Sequence, residues 1–142
     1  MDKEILHKEI DLIQNVINRM ANNSFFLKGW MISIIVAVLA LTKDILMTNN
    51  LTYFSLTLLL PLISFWYLDA FFLHKEKCYR ELYNWVIENR QNSNDNLYSL
   101  DYTRFEENVD SIFKIMRSNT LIVFYGLTAI ILITITIYNV CQ

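Results

Sequence analysis

The stretch from Leu51 to Leu73, LTYFSLTLLLPLISFWYLDAFFL, constrains this chain most, because one charge, Asp69, is set inside otherwise apolar sequence. A helix that crosses a bilayer needs about 20 mostly apolar residues rising about 1.5 Å each, so this run is long enough. Past Leu73 the composition switches to HKEKCYRELYNWVIENR, yet no Pro or Gly occurs between Leu62 and Arg90. Nothing in the sequence obliges the helix to stop where the apolar residues stop. One long helix is expected, its first part in lipid and its second in water. Pro61 lies in the lipid part, where neighbouring helices can satisfy the carbonyl that it frees.

The rest of the chain fits the same frame. With 142 residues, 54% hydrophobic and 18% charged, and a mean hydropathy of +0.30, it is too apolar for an ordinary small soluble domain. It is also too short for two domains. Residues 1–23 are polar but periodic, with Ile5, Leu6, Ile10, Ile13, Val16, Ile17 and Met20 at three- and four-residue steps, the pattern of an amphipathic helix. Such a helix packs on other helices; lying flat on a membrane or plugging a pore remain the alternatives. A cleavable signal peptide is not expected, since the first apolar run begins only at Phe25, after several acidic residues. Asn22, Asn23 and Ser24 are cap-type residues, so a break or bend is expected there.

Residues 25–42, FFLKGWMISIIVAVLALT, form a first span with Lys28 one turn inside and Trp30 at the interfacial belt. Lys43, Asp44 and Thr48-Asn49-Asn50 make a turn, and residues 51–73 are the second span. Residues 74–118 read as a cytoplasmic helical hairpin. Its first arm carries Tyr79, Leu82, Tyr83 and Val86, its loop is QNSNDNLYSLD, and its second arm is a helix from Tyr102 to Asn119 with Phe105, Val109, Ile112, Phe113 and Met116 on one side. Residues 120–140 carry no charge and form the third span. The expected fold is therefore all-α, an integral membrane protein with three transmembrane helices and a cytoplasmic helical bundle.

Orientation follows from the 12 Lys and Arg residues. Four precede or start the first span, seven lie between the second and third, and only Lys43 falls on the other side. The N-terminus and the central segment should face the cytoplasm and the C-terminus the outside, in a bacterial inner membrane. On this topology Cys78 and Cys141 lie on opposite sides and cannot form an intrachain disulfide. Lys28 and Asp69 come to similar depth, so an ion pair between them, within or between subunits, would offset much of the desolvation cost of each. That pair either anchors the bundle or takes part in gating an ion pathway. The Ser and Thr residues of the spans form no polar stripe and are expected to bond their own backbone. Three spans cannot enclose a roomy pore, so any channel forms between subunits around a symmetry axis.

Little in the chain suggests catalysis. His7 and His74 have no partner at metal spacing, and with two glycines no phosphate-cradling loop can form. No enzyme activity, metal or cofactor is expected. Basic and aromatic residues that could contact a nucleotide or single strand are Lys75, Lys77, Tyr79 and Arg80, with Tyr83, and Arg104, Lys114 and Arg117, with Tyr102. Residues 74–118 nevertheless hold eight acidic residues against seven basic ones, so they carry no strong nonspecific field. Contact with anionic lipid explains the same cations.

Two runs add a resemblance. RMANNSFFLKGW, from Arg19 to Trp30, and FWYLDAFFLHKEKCYRELY, from Phe65 to Tyr83, resemble small bacterial membrane proteins of anti-phage defence operons, in particular the membrane effector of the Hailong type, encoded beside a nucleotidyltransferase. The resemblance covers roughly 30 residues and transfers no ligand-contacting position. It implies a homo-oligomer, with a tetramer as the working number, that is channel-like and held closed by a nucleotide or single-stranded DNA oligomer from the partner nucleotidyltransferase. Opening would depolarise the membrane. The competing expectation is a structural or assembly membrane protein without ligand or pore; a membrane-bound enzyme subunit is a more distant one.

Overall fold

The computed structural model describes residues 3–41, 51–90 and 96–140. All regular structure among these residues is helical, and none of it is strand. The order is α1 (Lys3–Leu41), α2 (Leu51–Asn89), a 3-10 turn (Thr103–Asn108), α3 (Ile112–Met116) and α4 (Asn119–Val140). The expected turn at Lys43–Asn50, the first half of the loop after Arg90, and Cys141 lie outside the described residues.

α2 is the single long helix that its sequence requires, with Pro61 inside it and no interruption where apolar residues give way to charged ones. It touches α1, the 3-10 turn, α3 and α4. A buried ridge recurs every four positions, at Leu58, Leu62, Ala70, His74, Cys78, Leu82 and Val86 and on to Arg90 just past its end, with half-buried Trp66 filling the gap and buried Asp69 beside Ala70. At 3.6 residues per turn each four-residue step advances this ridge by roughly 40°, so the buried face winds round the helix and meets different neighbours at different heights. Two apolar cores result. Leu58, Leu62 and Ala70 pack with Met31 and Ile35 of α1, Ile115 of α3, and Leu121, Tyr125 and Leu132 of α4. Leu82 and Val86 pack with Ile13 and Ile17 of α1 and Phe105 of the 3-10 turn. Each such aliphatic side chain contributes about 1.5–3 kcal/mol when removed from water.

Two expectations are corrected. The break at Asn22–Ser24 does not occur, and residues 1–23 and 25–42 do not separate: α1 runs through both from Lys3 to Leu41. Ser24 is turned inward and donates its hydroxyl to Asp69 of α2. A cap-type side chain with a tertiary acceptor has no need to bond the local backbone, so the helix continues. The first half of α1 lies along the charged half of α2 and packs with it in the second core.

The second arm of the hairpin is not a helix from Tyr102 to Asn119. Asp101 accepts from the Thr103 backbone N–H (2.9 Å) and hydroxyl (2.6 Å), starting a tight turn that ends at Val109, whose backbone is extended (φ −111°, ψ 143°). That extension brings the Asp110 carbonyl to the His74 ring. Only the five residues of α3 follow before α4 begins. Because the helix is broken, Phe105 and Phe113 no longer share a face, and Phe113 stands 71% exposed.

α1 and α2 are long and apolar enough to cross a membrane. Only 11% of the most apolar window of α1 and 28% of that of α2 are buried, far less than the core helices of a soluble protein would be. The described apolar stretch of α4, Asn119–Thr134, is shorter. Along these helices Ser33, Ser64, Thr128, Thr134 and Thr136 each donate to the carbonyl four residues earlier, as polar side chains in apolar surroundings do.

Candidate functional site

A polar tier is set into the first core. Asp69 of α2 is fully buried, and the Lys28 ammonium of α1 meets its Oδ2 at 2.5 Å, the pair anticipated from their matched depths. Lys28 also donates to the Ser24 hydroxyl (3.0 Å), which in turn donates to the other carboxylate oxygen. From α4, the Tyr125 hydroxyl lies 3.0 Å from Asp69 Oδ2 and 3.3 Å from the Phe65 carbonyl. The Tyr125 ring is stacked on Trp66, with centroids 5.8 Å apart and planes 7° from parallel, while the Trp66 indole N–H donates to the Met116 carbonyl (3.0 Å).

Three helices thus converge on one carboxylate. The first core supplies the reason for this register, since Met31 and Ile35 one and two turns beyond Lys28, and Leu121 before Tyr125, are buried against α2. No buried side-chain nitrogen or oxygen among the described residues lacks a hydrogen-bond partner. A buried pair satisfied in this way is strongly sensitive to losing either member, because the survivor is an uncompensated charge in a low-dielectric setting.

One turn further along α2, His74 is held at 3.1 Å from the Asp110 carbonyl through Nδ1, and the Cys78 thiol faces Nε2 at 3.6 Å. Nδ1, which faces a carbonyl oxygen, is the donor in the first contact. The thiol is completely buried, so this contact joins α2 to the turn before α3 and presents no reactive group to solvent.

Among the described residues, the structure does not gather the candidate signal-binding residues into one pocket. Lys75 pairs with Glu106 at 2.9 Å and lies 4.3 Å from the Tyr102 ring centre, and Tyr79 packs on the same ring at 4.9 Å. Arg104, two residues from Tyr102, instead covers the Trp85 ring at 4.1 Å. Lys77 and Arg80 share a shallow groove of about 230 Å³ with Glu81, Asn108, Val109 and Asp110. Arg80 pairs with Glu76 and Lys114 with Asp110, both one turn away on the surface, and Arg117 is exposed. No group of three or more His, Cys, Asp or Glu among the described residues could hold a metal ion.

The chain matches no family model, no curated protein and no solved structure.

Sequence reasoning missed the most deeply buried ion pair. Arg90, at the end of α2, donates through Nε (2.7 Å) and Nη2 to both oxygens of Glu9 on α1, and the Tyr98 backbone N–H also donates to Glu9 (3.2 Å). Both side chains are 1% exposed. Asn96 and Tyr98 adopt left-handed backbone (φ 56° and 59°), a costly conformation for residues other than glycine, and the Arg90 contact to the Asn96 carbonyl helps to hold it. A signal was present in the sequence: Glu9 falls midway between Ile5 and Ile13, on the apolar stripe itself. Ser24 and Tyr125 were missed as partners of Asp69 because a hydroxyl on an apolar helix looks the same whether it faces lipid or a carboxylate.

Proposed function

We propose that this chain is the oligomeric membrane effector of a bacterial anti-phage defence system. On this reading it is not an enzyme: α1, α2 and α4 span the inner membrane, the N-terminal half of α1 and residues 74–118 form a cytoplasmic bundle, and a channel-like pathway forms between copies. Two mostly unburied apolar helices favour the membrane part of this reading, and α4, at 22 residues, has the length for a third span. The orientation rests on the distribution of Lys and Arg.

The observation that carries the reading is the Lys28–Asp69 pair closed by Tyr125. Charges inside apolar helices are costly and mark ion pathways or gates more often than charges in soluble proteins do. The Tyr125 hydroxyl also ties α4 to this pair, so that all three helices meet at Asp69. The two runs that carry the resemblance, around Ser24–Lys28 and around Asp69, meet face to face. A nucleotide or DNA-oligomer signal on the cytoplasmic bundle would close the pathway by binding the closed state better. A near-complete switch needs about 5.5 kcal/mol of such preference.

One observation favours a rival, a structural or assembly membrane protein: the buried polar atoms among the described residues are all satisfied, as in a simple anchor. Membrane potential in cells expressing the chain alone, and with its neighbouring genes, separates the two. The effector reading expects depolarisation that Asp69→Asn and Lys28→Gln abolish while the protein still reaches the membrane. Unchanged potential under both conditions, with growth unaffected, would leave the rival.

A further inference from the structure

α3 carries a surface that neither the cores nor the polar tier use. Its Ile115 is buried, and Ile112 and Met116 pack against the first core. Away from that core Phe113 (71% exposed), Lys114 and, just past the last turn, Arg117 are exposed; Arg117, four residues after Phe113 and three after Lys114, is spaced to lie near both. Two hydrogen bonds fix the height of this helix. The Asp110 carbonyl just before it meets His74, and the Met116 carbonyl at its end meets Trp66. α3 therefore lies beside α2 between His74 and Trp66, eight residues or roughly 12 Å. That stretch contains Leu73, where the apolar run of α2 ends, and Asn119, where α4 begins, follows two residues after Arg117.

On the membrane reading this stretch holds the boundary where hydrocarbon gives way to headgroups, a layer about 5–7 Å deep on each side of a bilayer. An exposed aromatic ring flanked by cations at that depth has the chemistry of an interfacial anchor. Lys114 is already paired with Asp110, but Arg117 has no ion pair among the described residues. A guanidinium takes a phosphate through two parallel N–H donors.

We propose that the outward face of α3 docks on anionic phospholipid, with Phe113 at the acyl boundary and Arg117 and Lys114 on headgroup phosphate, and so fixes the entry height of α4. The proposal rests on the membrane reading above. It assigns Lys114 and Arg117 to lipid and leaves them out of any signal site.

The full chain is assembled into nanodiscs of phosphatidylcholine mixed with phosphatidylglycerol, and the retained lipids are counted by native mass spectrometry. Wild-type protein should retain phosphatidylglycerol preferentially. Each cation near a charged surface is worth about fivefold, so Lys114→Gln with Arg117→Gln should lower that preference by roughly thirtyfold. Lys8→Gln, on the cytoplasmic half of α1, should leave it unchanged. A preference that survives the double variant, or that Lys8→Gln lowers equally, overturns the proposal. Failure of the wild-type chain to enter the discs, or its release from membranes by alkaline carbonate, would instead overturn the membrane reading.

Discussion

Removing Glu9 tests how the far end of the bundle is held. In Glu9→Ala the Arg90 guanidinium, 1% exposed, loses both of its charge-assisted bonds to Glu9, and the Tyr98 N–H loses its acceptor. An uncompensated buried charge costs about 3–5 kcal/mol, and an orphaned backbone donor about 1–3 kcal/mol. Allowing for relaxation of the loop, a loss of about 4 kcal/mol is expected. Arg90→Met should cost a similar amount by stranding Glu9. The double variant Glu9→Leu with Arg90→Met removes both charges and leaves only the Tyr98 N–H without its acceptor, so it should cost about 1–3 kcal/mol, far less than the two single losses added. Denaturant unfolding in micelles, followed by tryptophan fluorescence, reads all three, and Trp85 is a local reporter because Arg90 lies 5.2 Å from its ring centre. If the two single losses simply add in the double variant, or if Glu9→Ala costs less than about 1 kcal/mol, the clamp is not the buried, coupled unit described here.

Four further outcomes are expected. Tyr125→Phe keeps the stack on Trp66 but removes the hydroxyl from Asp69, which should lower stability by about 1–2 kcal/mol in thermal unfolding. Leu82→Ala, in the second core, should cost about 2–4 kcal/mol, whereas Ile87→Ala on the exposed side of the same helix should stay within about 0.5 kcal/mol. Lys75→Met should release the Glu106 pair and weaken protection of the 3-10 turn in hydrogen exchange without unfolding the helices. The Thr103 hydroxyl and N–H hold the Asp101 carboxyl below the usual range. A depressed carboxylate stabilises the fold above its unfolded pKa and loses that contribution as pH falls through the folded value. Thr103→Val should therefore raise the Asp101 titration seen by NMR and shift melting of the turn to higher pH.

Much of this architecture was legible because its cause is periodic. The continuous α2 follows from the absence of helix breakers past Pro61, and the faces of α1 and α2 that form the second core follow from three- and four-residue spacing. The Lys28–Asp69 contact was legible from depth, since antiparallel helices with charges equally far from the same boundary bring them level. What failed was local competition. Asn22–Ser24 has the chemistry of a cap, and only the position of Asp69 on another helix decides that Ser24 turns inward. Tyr102–Asn119 has helical spacing, but the Asp101 turn and the His74 ring, an acceptor site and a donor supplied from outside the spacing pattern, break it in two. Basic and aromatic residues likewise cannot be sorted into a binding site by composition, because Lys75, Tyr79 and Arg104 already have aromatic neighbours supplied by the fold.

The length of α1 and α2 has a mechanical consequence. Each has 39 residues and measures about 58 Å, and neither has a break between its charged half and its apolar half. Two stiff rods strapped together at Ser24, Lys28 and Asp69 behave as a lever with its fulcrum at that tier. A force that spreads or twists the ends near Glu9 and Arg90 is delivered to the apolar ends as tilt, undiminished by any hinge until it reaches Pro61. Displacements too small to disturb local packing at one end can therefore become several ångströms of sideways travel at the other, and the stiffness of the straps at the fulcrum sets how faithfully they arrive.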